Sequence, residues 1–220
     1  MARMDNKNSI ISLENIDFGY DPHKPVFKSL NFNFIKGEKA ALFGPNGCGK
    51  TTLFHIIMGL LMPSSGKINI FGKVRTSNSE FFEVRRRIGL LFQDSDDQLF
   101  SPTVAEDIAF GPLNLGKSRD EVKKIVSKTL NRLGLTGFED RITYKLSGGE
   151  KRLVALGTIL AMQPEVLLLD EPIIGLDEDH QARFIETLKS IHSYIIISHD
   201  REFLDEVADH KYVLKNGAIA

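Results

Sequence analysis

Alternation of hydrophobic and polar residues marks the first third of the chain as β-structure. Segments 11–16 and 30–34 place apolar residues at every second or third position, which predicts half-buried strands. The apolar run 39–43 ends in a glycine-rich loop and predicts a buried strand, whereas 51–61 has the pattern of a helix. A further strand pair is predicted around 67–74. This part of the chain therefore predicts a sheet interrupted by one helix.

The middle of the chain has a different pattern. Residues 93–116 are rich in aspartate, proline and glycine and are predicted to be loop-like. Apolar residues in 120–133 follow helical spacing, and 151–162 predicts a second strong helix. No strand pattern occurs here. We interpret 94–163 as a helical lobe inserted into the α/β core of a single domain, 1–220.

Strands and helices alternate again after Pro164. The predicted elements are a strand at 166–169, a helix at 179–190, a strand at 194–197, a helix at 201–208 and a hairpin at 212–220 with an Asn216-Gly217 turn. Alternation of this kind indicates parallel strands in a sheet that is covered on both faces. The predicted fold class is accordingly α/β.

Composition excludes several classes of protein. The 220 residues include 28 basic and 29 acidic side chains, so bulk charge favours neither nucleic acid nor an anionic membrane as a partner. One cysteine excludes an internal disulfide framework and a cysteine-cluster metal site. Met1–Asn8 lacks the apolar core of a signal peptide, and no apolar run approaches the roughly 20 residues of a membrane span.

A phosphate-binding loop lies between the predicted strand 39–43 and the predicted helix 51–61. Its residues are Gly44, Pro45, Asn46, Gly47, Cys48, Gly49, Lys50 and Thr51, followed by Thr52. The glycines allow consecutive backbone N–H groups to face phosphate oxygens, Lys50 supplies a positive charge, and the Thr51 hydroxyl can ligate Mg²⁺. A chance glycine-rich turn would lack this strand–loop–helix context. The segment therefore predicts binding of a nucleoside triphosphate.

Cys48 lies inside this loop. One interpretation is that it fills a position requiring a small side chain. The alternative is an activated thiol, because the surrounding amides and the helix terminus favour a thiolate.

Two acidic residues and one histidine follow apolar strands. Asp170 and Glu171 end the strand 166–169, and His199 follows the strand 194–197. In an open parallel sheet, ligands gather at the carboxyl ends of the strands. Asp170 is therefore predicted to hold Mg²⁺, Glu171 to polarise an attacking water, and His199 to bind the γ-phosphate or that water. Solvated polar caps at the strand ends are the alternative.

A second anion-binding arrangement begins the helix 151–162. Ser147 is a predicted N-cap, and Gly148 and Gly149 leave backbone N–H groups uncovered at the helix start. A plain helix cap is the alternative. The loop at 44–51 already supplies the donors for the γ-phosphate of the chain's own nucleotide. A second set of N–H donors is therefore useful only to nucleotide held by another chain. This excess of phosphate-binding donors predicts a two-fold dimer with two composite sites.

These motifs, in this order, resemble the ATPase subunits of ABC transporters over nearly the whole chain. The resemblance implies a P-loop ATPase core with a mixed or parallel sheet, an N-terminal antiparallel β subdomain and an inserted α-helical subdomain. It also implies that Tyr20 stacks on adenine and that Gln93 contacts Mg²⁺ and senses the γ-phosphate. Further roles implied for this chain are ATP contacts across the dimer by Ser147, Gly148 and Gly149, a link between the two sites by Asp177, the catalytic base at Glu171 and the switch at His199.

The segment after Gln93 indicates a subfamily. Residues 97–104 and 107–116 are similar to energy-coupling-factor importers of the cobalt type, in which this segment forms the groove for helices of a membrane scaffold protein. The segment contains apolar side chains that need a buried contact, namely Leu99, Phe100, Phe110, Leu113 and Leu115. The alternative is that they only anchor a loop within the lobe.

The resemblance implies an ATP- and Mg²⁺-dependent subunit of an importer of cobalt, nickel or a vitamin. Its expected partners are a second ATPase chain, identical or paralogous, a transmembrane scaffold protein and a substrate-binding membrane subunit, with no nucleic acid and no direct insertion into the membrane. The expected location is the cytoplasmic face of the cell membrane. Alternatives are another ABC transporter class, a soluble ABC ATPase that remodels nucleic acid or ribosomes, and a nucleotide-gated binding module without hydrolysis. The cargo stays open.

Overall fold

The computed structural model describes residues 8–219, which form two compact units. The first unit contains the residues up to Ile88 and those from His192 onward, and the second contains Gly89–Ile191. The elements in chain order are β1 Ser9–Phe18, β2 Phe27–Ile35, β3 Lys39–Phe43, α1 Lys50–Ile57, β4 Ser65–Ile70, β5 Lys73–Val74, α2 Phe81–Arg87, β6 Ile88–Leu91, α3 Val104–Asn114, α4 Arg119–Arg132, α5 Gly148–Leu160, β7 Val166–Asp170, α6 Glu178–Lys189, β8 Tyr194–Ile197, α7 Arg201–Val207, β9 His210–Lys215 and β10 Ala218–Ile219. Met1–Asn8, where the sequence predicts no signal peptide, lies outside the described residues except for Asn8.

The first unit begins with an antiparallel sheet in the strand order β2-β1-β4-β5. Leu13 of β1 lies opposite Phe32 of β2 and Ile68 of β4, and all three side chains are buried. The alternating pattern of the sequence therefore predicts the buried face correctly, because successive side chains of a strand point to opposite faces.

A second sheet of this unit contains the strands β10-β9-β3-β8 in that order. Strand β3 is parallel to both β8 and β9, and Leu42 lies opposite Ile197 and Tyr212. The prediction of parallel, buried strands is confirmed here. Because β3 and β8 run in the same direction, the segments that follow them, beginning at Gly44 and Ser198, leave the sheet at one edge.

The terminal hairpin is also confirmed over the described residues. Asn216 and Gly217 have φ angles of 52° and 76°, the left-handed pair that a two-residue type I′ turn requires. The turn joins β9 to β10, with Ala218 opposite Lys215. Ala220, the last residue of the predicted hairpin, lies outside the described residues.

The second unit contains β7 and the last three residues of its neighbour β6, and every residue of both strands is buried. Helix α3 packs against α4 and α5, and α5 also packs against α6. Gly89 in β6 permits a close approach of α5, since a Cβ at this position would lie 1.9 Å from Cγ2 of Ile159. The predicted lobe 94–163 falls within this unit.

The prediction that 93–116 is loop-like is wrong for its second half. Helix α3 covers Val104–Asn114, although Gly111 and Pro112 lie inside it. It begins with a capping box in which Thr103 and Glu106 satisfy each other's backbone N–H groups. Val104, Ile108 and Pro112 share one buried face, and this tertiary packing outweighs the helix-breaking preference of the proline.

Two elements, α2 and β6, had no prediction from the sequence. They contain seven and four residues, too few for a hydrophobic period to be recognised. Among residues 8–219, no helix combines the length and hydrophobicity needed to cross a membrane.

Candidate functional site

The glycine-rich loop occupies the predicted position between β3 and α1. Lys50 is the first residue of α1, and its side chain is buried. Its Nζ donates hydrogen bonds to the carbonyl oxygens of Gly44 at 2.8 Å and Pro45 at 3.2 Å. The ammonium group is thus held inside the loop that carries the backbone donors. A loop of this geometry combines a fixed cation with the N-terminal end of a helix, which is the arrangement that binds phosphate.

Two glycines of the loop are required by close contacts. A Cβ at Gly44 would lie 2.3 Å from the carbonyl oxygen of Leu214, and one at Gly49 would lie 2.6 Å from Cγ1 of Val26. Gly49 also has φ +105° as the N-cap of α1. The glycines therefore permit a backbone path that no larger residue can follow without displacement.

The loop borders an open cleft of about 630 Å³. Lys24 and Lys28 line the cleft beside Asn46 and Gly47, so two further cations lie close to the loop. These lysines had no predicted role. The feature of the sequence that could have pointed to them is their position a few residues after Tyr20.

Cys48 also borders this cleft and is partly exposed. A Cβ on Gly44 would lie 2.6 Å from its Sγ, so the cysteine packs closely against the loop backbone. This contact supports the interpretation of Cys48 as a small residue that fills the loop.

Tyr20 lies beside the start of α1. Its ring is 68% exposed and meets Phe18 edge-to-face, with 5.1 Å between the ring centroids. Its hydroxyl shares a hydrogen bond of 3.1 Å with Oγ1 of Thr52. These two contacts hold the ring in place while leaving a face accessible, as a base-stacking platform requires.

Replacement of Tyr20 by alanine is expected to raise the KM for ATP about two- to twelvefold, because an aromatic pair contributes about 0.5–1.5 kcal/mol. Tyr20→Phe keeps the ring and loses only the bond to Thr52, so its KM should stay within about twofold of the wild type. Steady-state ATPase kinetics of both variants provide the measurement. An equal rise in KM for both would show that the hydroxyl, and not the stacking face, is important.

His199 follows β8 and is exposed, at the same sheet edge as the glycine-rich loop. Ser198 before it is buried, and Asp200 after it caps α7 by accepting a hydrogen bond of 2.9 Å from the N–H of Phe203. The first unit therefore brings the predicted switch histidine to the edge that carries Lys50 and Thr51.

In the second unit, the acidic pair ends β7 as predicted. The side chains of Asp170 and Glu171 are buried, being 3% and 5% exposed. Glu171 has φ 45°, a left-handed conformation that costs a non-glycine residue about 1 kcal/mol or more. Gln93 follows β6, the neighbour of β7, and is exposed. The second unit thus places the carboxylates and Gln93 at the ends of adjacent strands.

Arg152, a residue without a predicted role, joins these two strand ends. Its side chain is 3% exposed and donates five hydrogen bonds to backbone carbonyls. A signal was present in the sequence, since Arg152 is a charged residue on the helix face that otherwise carries Leu156 and Leu160.

The segment Leu146–Glu150, here called the Ser147 loop, begins α5. Ser147 caps the helix by accepting from the N–H of Glu150, whose carboxylate accepts from the N–H of Ser147 in return. This N–H of Ser147 is the largest cause of a lowered pKa at Glu150. Gly148 is exposed with open space around a would-be Cβ. The exposed residue of the helix start with an N–H group outside the capping box is therefore Gly148.

Asp177 and His180 connect to this helix start from α6. Asp177 caps α6, and the N–H of His180 is the largest cause of the lowered pKa of its carboxylate. The His180 ring lies 2.7 Å from the Asp177 carboxylate, and a Cβ on Gly149 would lie 2.9 Å from that ring. His180 had no predicted role, but its ring packs between the Ser147 loop and Asp177, the residue predicted to link the two nucleotide sites.

Comparison with known proteins identifies the family. The profile described as ABC transporter matches residues 27–174. The energy-coupling factor transporter ATP-binding protein EcfA of Methanothermobacter thermautotrophicus is 41% identical over 96% of this chain and 69% of its own length. The structure of cbiO1 from Clostridium perfringens, described as part of the ABC transporter complex cbiONQ, has a TM-score of 0.85 and 36% identity, covering 97% of this chain and 88% of that one.

A dimeric bacterial ABC transporter cassette matches with a TM-score of 0.85 and 25% identity, over 95% of this chain and 96% of that one. The resemblance inferred from the motifs is thereby confirmed, as is the α/β P-loop fold. The chain belongs to the ABC transporter family, as an ATP-binding transporter subunit that hydrolyses ATP.

Proposed function

We propose that this chain is the ATPase subunit of an energy-coupling-factor importer for a cobalt or nickel ion or a vitamin. It acts at the cytoplasmic face of the cell membrane through protein partners. The observation that carries the proposal is the 41% identity to EcfA over 96% of this chain, supported by the similarity to cbiO1. Both relatives are described as parts of transporters.

In the proposed chemistry, the loop at 44–51 binds the phosphates of ATP and Tyr20 stacks on the adenine. Lys50 neutralises charge that develops on the transferred phosphoryl group. Glu171 accepts a proton from the water that attacks the γ-phosphorus, and His199 binds the γ-phosphate. The position of Glu171 supports this role, because its buried carboxylate lies at the carboxyl end of β7, where ligands of an open parallel sheet gather.

The proposed ligands of Mg²⁺ are Thr51, Asp170 and Gln93, which carry a hydroxyl, a carboxylate and an amide oxygen. Hard oxygen ligands of this kind, few in number and supplemented by substrate phosphates, are what Mg²⁺ prefers. When bound, Mg²⁺ would supply positive charge that neutralises the phosphates. Phosphate release by the purified chain should therefore fall to background when EDTA replaces Mg²⁺ and recover when Mg²⁺ is restored in excess.

A second ATPase chain completes the proposed site. The exposed N–H groups at the start of α5, together with Ser147 and Gly148, bind the phosphates of ATP held by the partner chain. A 13-residue helix supplies the dipole for this contact. Asp177, at the start of α6, links the two sites. The two chains close on ATP and separate after hydrolysis, and this motion drives the membrane scaffold.

An exposed aromatic patch supports docking to the scaffold protein. The Phe100–Phe110 patch consists of these two residues and Leu113, which are 67%, 50% and 47% exposed. The two rings meet edge-to-face at 4.8 Å. Asp107, buried beneath, accepts hydrogen bonds from the backbone N–H groups of Phe100 and Ser101 and so holds the loop in position. A rigid apolar patch of this kind favours a protein partner.

Coexpression with a transmembrane scaffold protein of an energy-coupling-factor transporter tests the importer proposal. The wild-type chain should purify with the scaffold in detergent, and Phe110→Asp should lose the complex while keeping its ATPase rate. Phe82→Asp is the matched control, because Phe82 is also an exposed phenylalanine, at 68% against 50% for Phe110, but lies on α2 of the other unit. An active wild-type chain that binds no such membrane protein would contradict the proposal and favour a soluble ABC ATPase.

A further inference from the structure

The guanidinium of Arg152 uses all its hydrogen-bond donors on the backbone of two segments. Arginine carries five N–H groups in one plane. The acceptors are the carbonyl oxygens of Phe92, Gln93, Asp170, Glu171 and Pro172. Nη2 lies 2.7 Å from the oxygen of Asp170 and 2.8 Å from that of Glu171, while Nη1 lies 3.1 Å from that of Gln93. Five donors therefore meet five carbonyls that come from the ends of β6 and β7.

This arrangement places a cation where burial disfavours it. Burial is the main cause of a pKa near 10 for Arg152, and it is opposed by the carboxylates of Asp170, Asp94 and Glu171. The guanidinium stays charged at neutral pH. Its cost of burial is offset by the five carbonyl dipoles, so the bonds to them are charge-assisted and strong.

The two bonded segments carry the proposed catalytic groups. Gln93 is exposed, and Arg152 holds its backbone through the carbonyl. Glu171 has a left-handed backbone, and such a conformation persists only where surrounding contacts determine it. The bond from Nη2 to the carbonyl of Glu171 is one such contact.

We propose that Arg152 is a positioning residue for hydrolysis, which fixes the backbone of Gln93 and of Glu171 relative to each other and to the start of α5. In this role it acts through the backbone carbonyls of the two segments. Because it lies five residues after Ser147, it also ties both catalytic segments to the Ser147 loop, so that contact of this loop with a partner's ATP is transmitted to them. The proposal rests on the proposed roles of Gln93 and Glu171.

Arg152→Lys is the informative substitution. Lysine keeps the charge but presents three donors from a single nitrogen, so it cannot reach both segments as the planar fork does. We expect kcat to fall about 10- to 100-fold, as small misplacements of catalytic groups do. The KM for ATP and the affinity measured with a fluorescent ATP analogue should stay within about twofold, because the binding loop belongs to the other unit.

Arg75→Lys is the matched control. Arg75 is also buried, at 5% exposed, and also donates to backbone carbonyls, those of Ile70 and Glu80, but these segments carry no proposed catalytic group. Both variants should lose thermal stability, and only Arg152→Lys should lose kcat. A fall in kcat that is equal in the two variants would reduce Arg152 to a structural residue and overturn the proposal.

Coupling to Gln93 provides a second readout. If Arg152 acts through Gln93 and Glu171, Arg152→Lys should lower kcat less in a Gln93→Ala background than in the wild type. Equal effects in both backgrounds would contradict the inference.

Should Arg152→Lys fail to fold, Arg152→Gln undergoes the same measurements. If kcat is unchanged in Arg152→Lys while Glu171→Gln loses hydrolysis, only the role of Arg152 is overturned. If Glu171→Gln retains hydrolysis, the proposed function itself is overturned.

Discussion

Glu171→Gln is expected to lower kcat for ATP hydrolysis by about 100-fold or more while ATP binding is retained. A general base contributes about 10²- to 10⁴-fold, and glutamine has the same shape but cannot accept the proton from water. The substitution introduces no steric conflict at a side chain that is only 5% exposed. Measurement of phosphate release, alongside equilibrium binding of ATP, separates the two effects.

The same variant reports on the second chain. If each Ser147 loop binds ATP held by its partner, a chain that binds ATP without hydrolysing it should accumulate as a dimer in size-exclusion chromatography with Mg-ATP. Glu186→Gln is the matched control, because Glu186 lies on α6 of the same unit with its side chain 77% exposed. That control should keep the wild-type kcat. Wild-type turnover in Glu171→Gln would contradict the role of Glu171 as general base. A variant that binds ATP but stays a monomer would contradict the composite site.

Gly44→Ala is expected to weaken ATP binding about 100-fold. The new Cβ would lie 2.3 Å from the carbonyl oxygen of Leu214 and 2.6 Å from Sγ of Cys48. Leu214 belongs to β9, which pairs with β3 and β10, so its carbonyl cannot withdraw without breaking the sheet. The loop must move instead, and overpacking of this kind costs about 1–3 kcal/mol. Isothermal titration with ATP measures the change.

Gly47→Ala in the same loop is the control for this prediction. A Cβ there meets nothing within 4 Å, although φ is +74°, so only the conformational cost of about 1–2 kcal/mol applies. Its effect on ATP affinity should therefore be smaller than that of Gly44→Ala, with both variants folded by circular dichroism. The reverse order would show that the contact with Leu214 does not control the position of the loop.

The predicted elements that agree with the structure are those in which local pattern and tertiary role coincide. Strand β3 is short, but it is apolar after Lys39 and precedes a glycine-rich loop, so neighbouring residues in the chain specify it. The Asn216-Gly217 turn is likewise specified by two residues. Helix α3 differs, because its buried face becomes favourable only when α4 and α5 are present to cover it.

The residues of the candidate site also fall into two groups, those specified by local sequence and those specified by tertiary contacts. Its glycine-rich loop, its carboxylate pair and its N-capping serine are contiguous motifs, and the chemistry of each can be derived from adjacent residues. Arg152 and His180 are different, because the groups they contact are distant in the sequence. Arg152 bonds to residues about 60 positions earlier and about 20 positions later, and His180 packs against Gly149.

The sequence by itself therefore determined the ATPase chemistry, the family and most of the β/α alternation. These depend on contiguous segments, where the spacing of a few residues decides which groups face a ligand. Tertiary structure alone decided that 104–114 is a helix and that Glu171 has a left-handed backbone. It also decided that the buried Arg152 donates hydrogen bonds to the ends of both β6 and β7. The physical reason is that burial and the satisfaction of backbone carbonyls are properties of segments brought together by folding, and no local pattern in the chain records them.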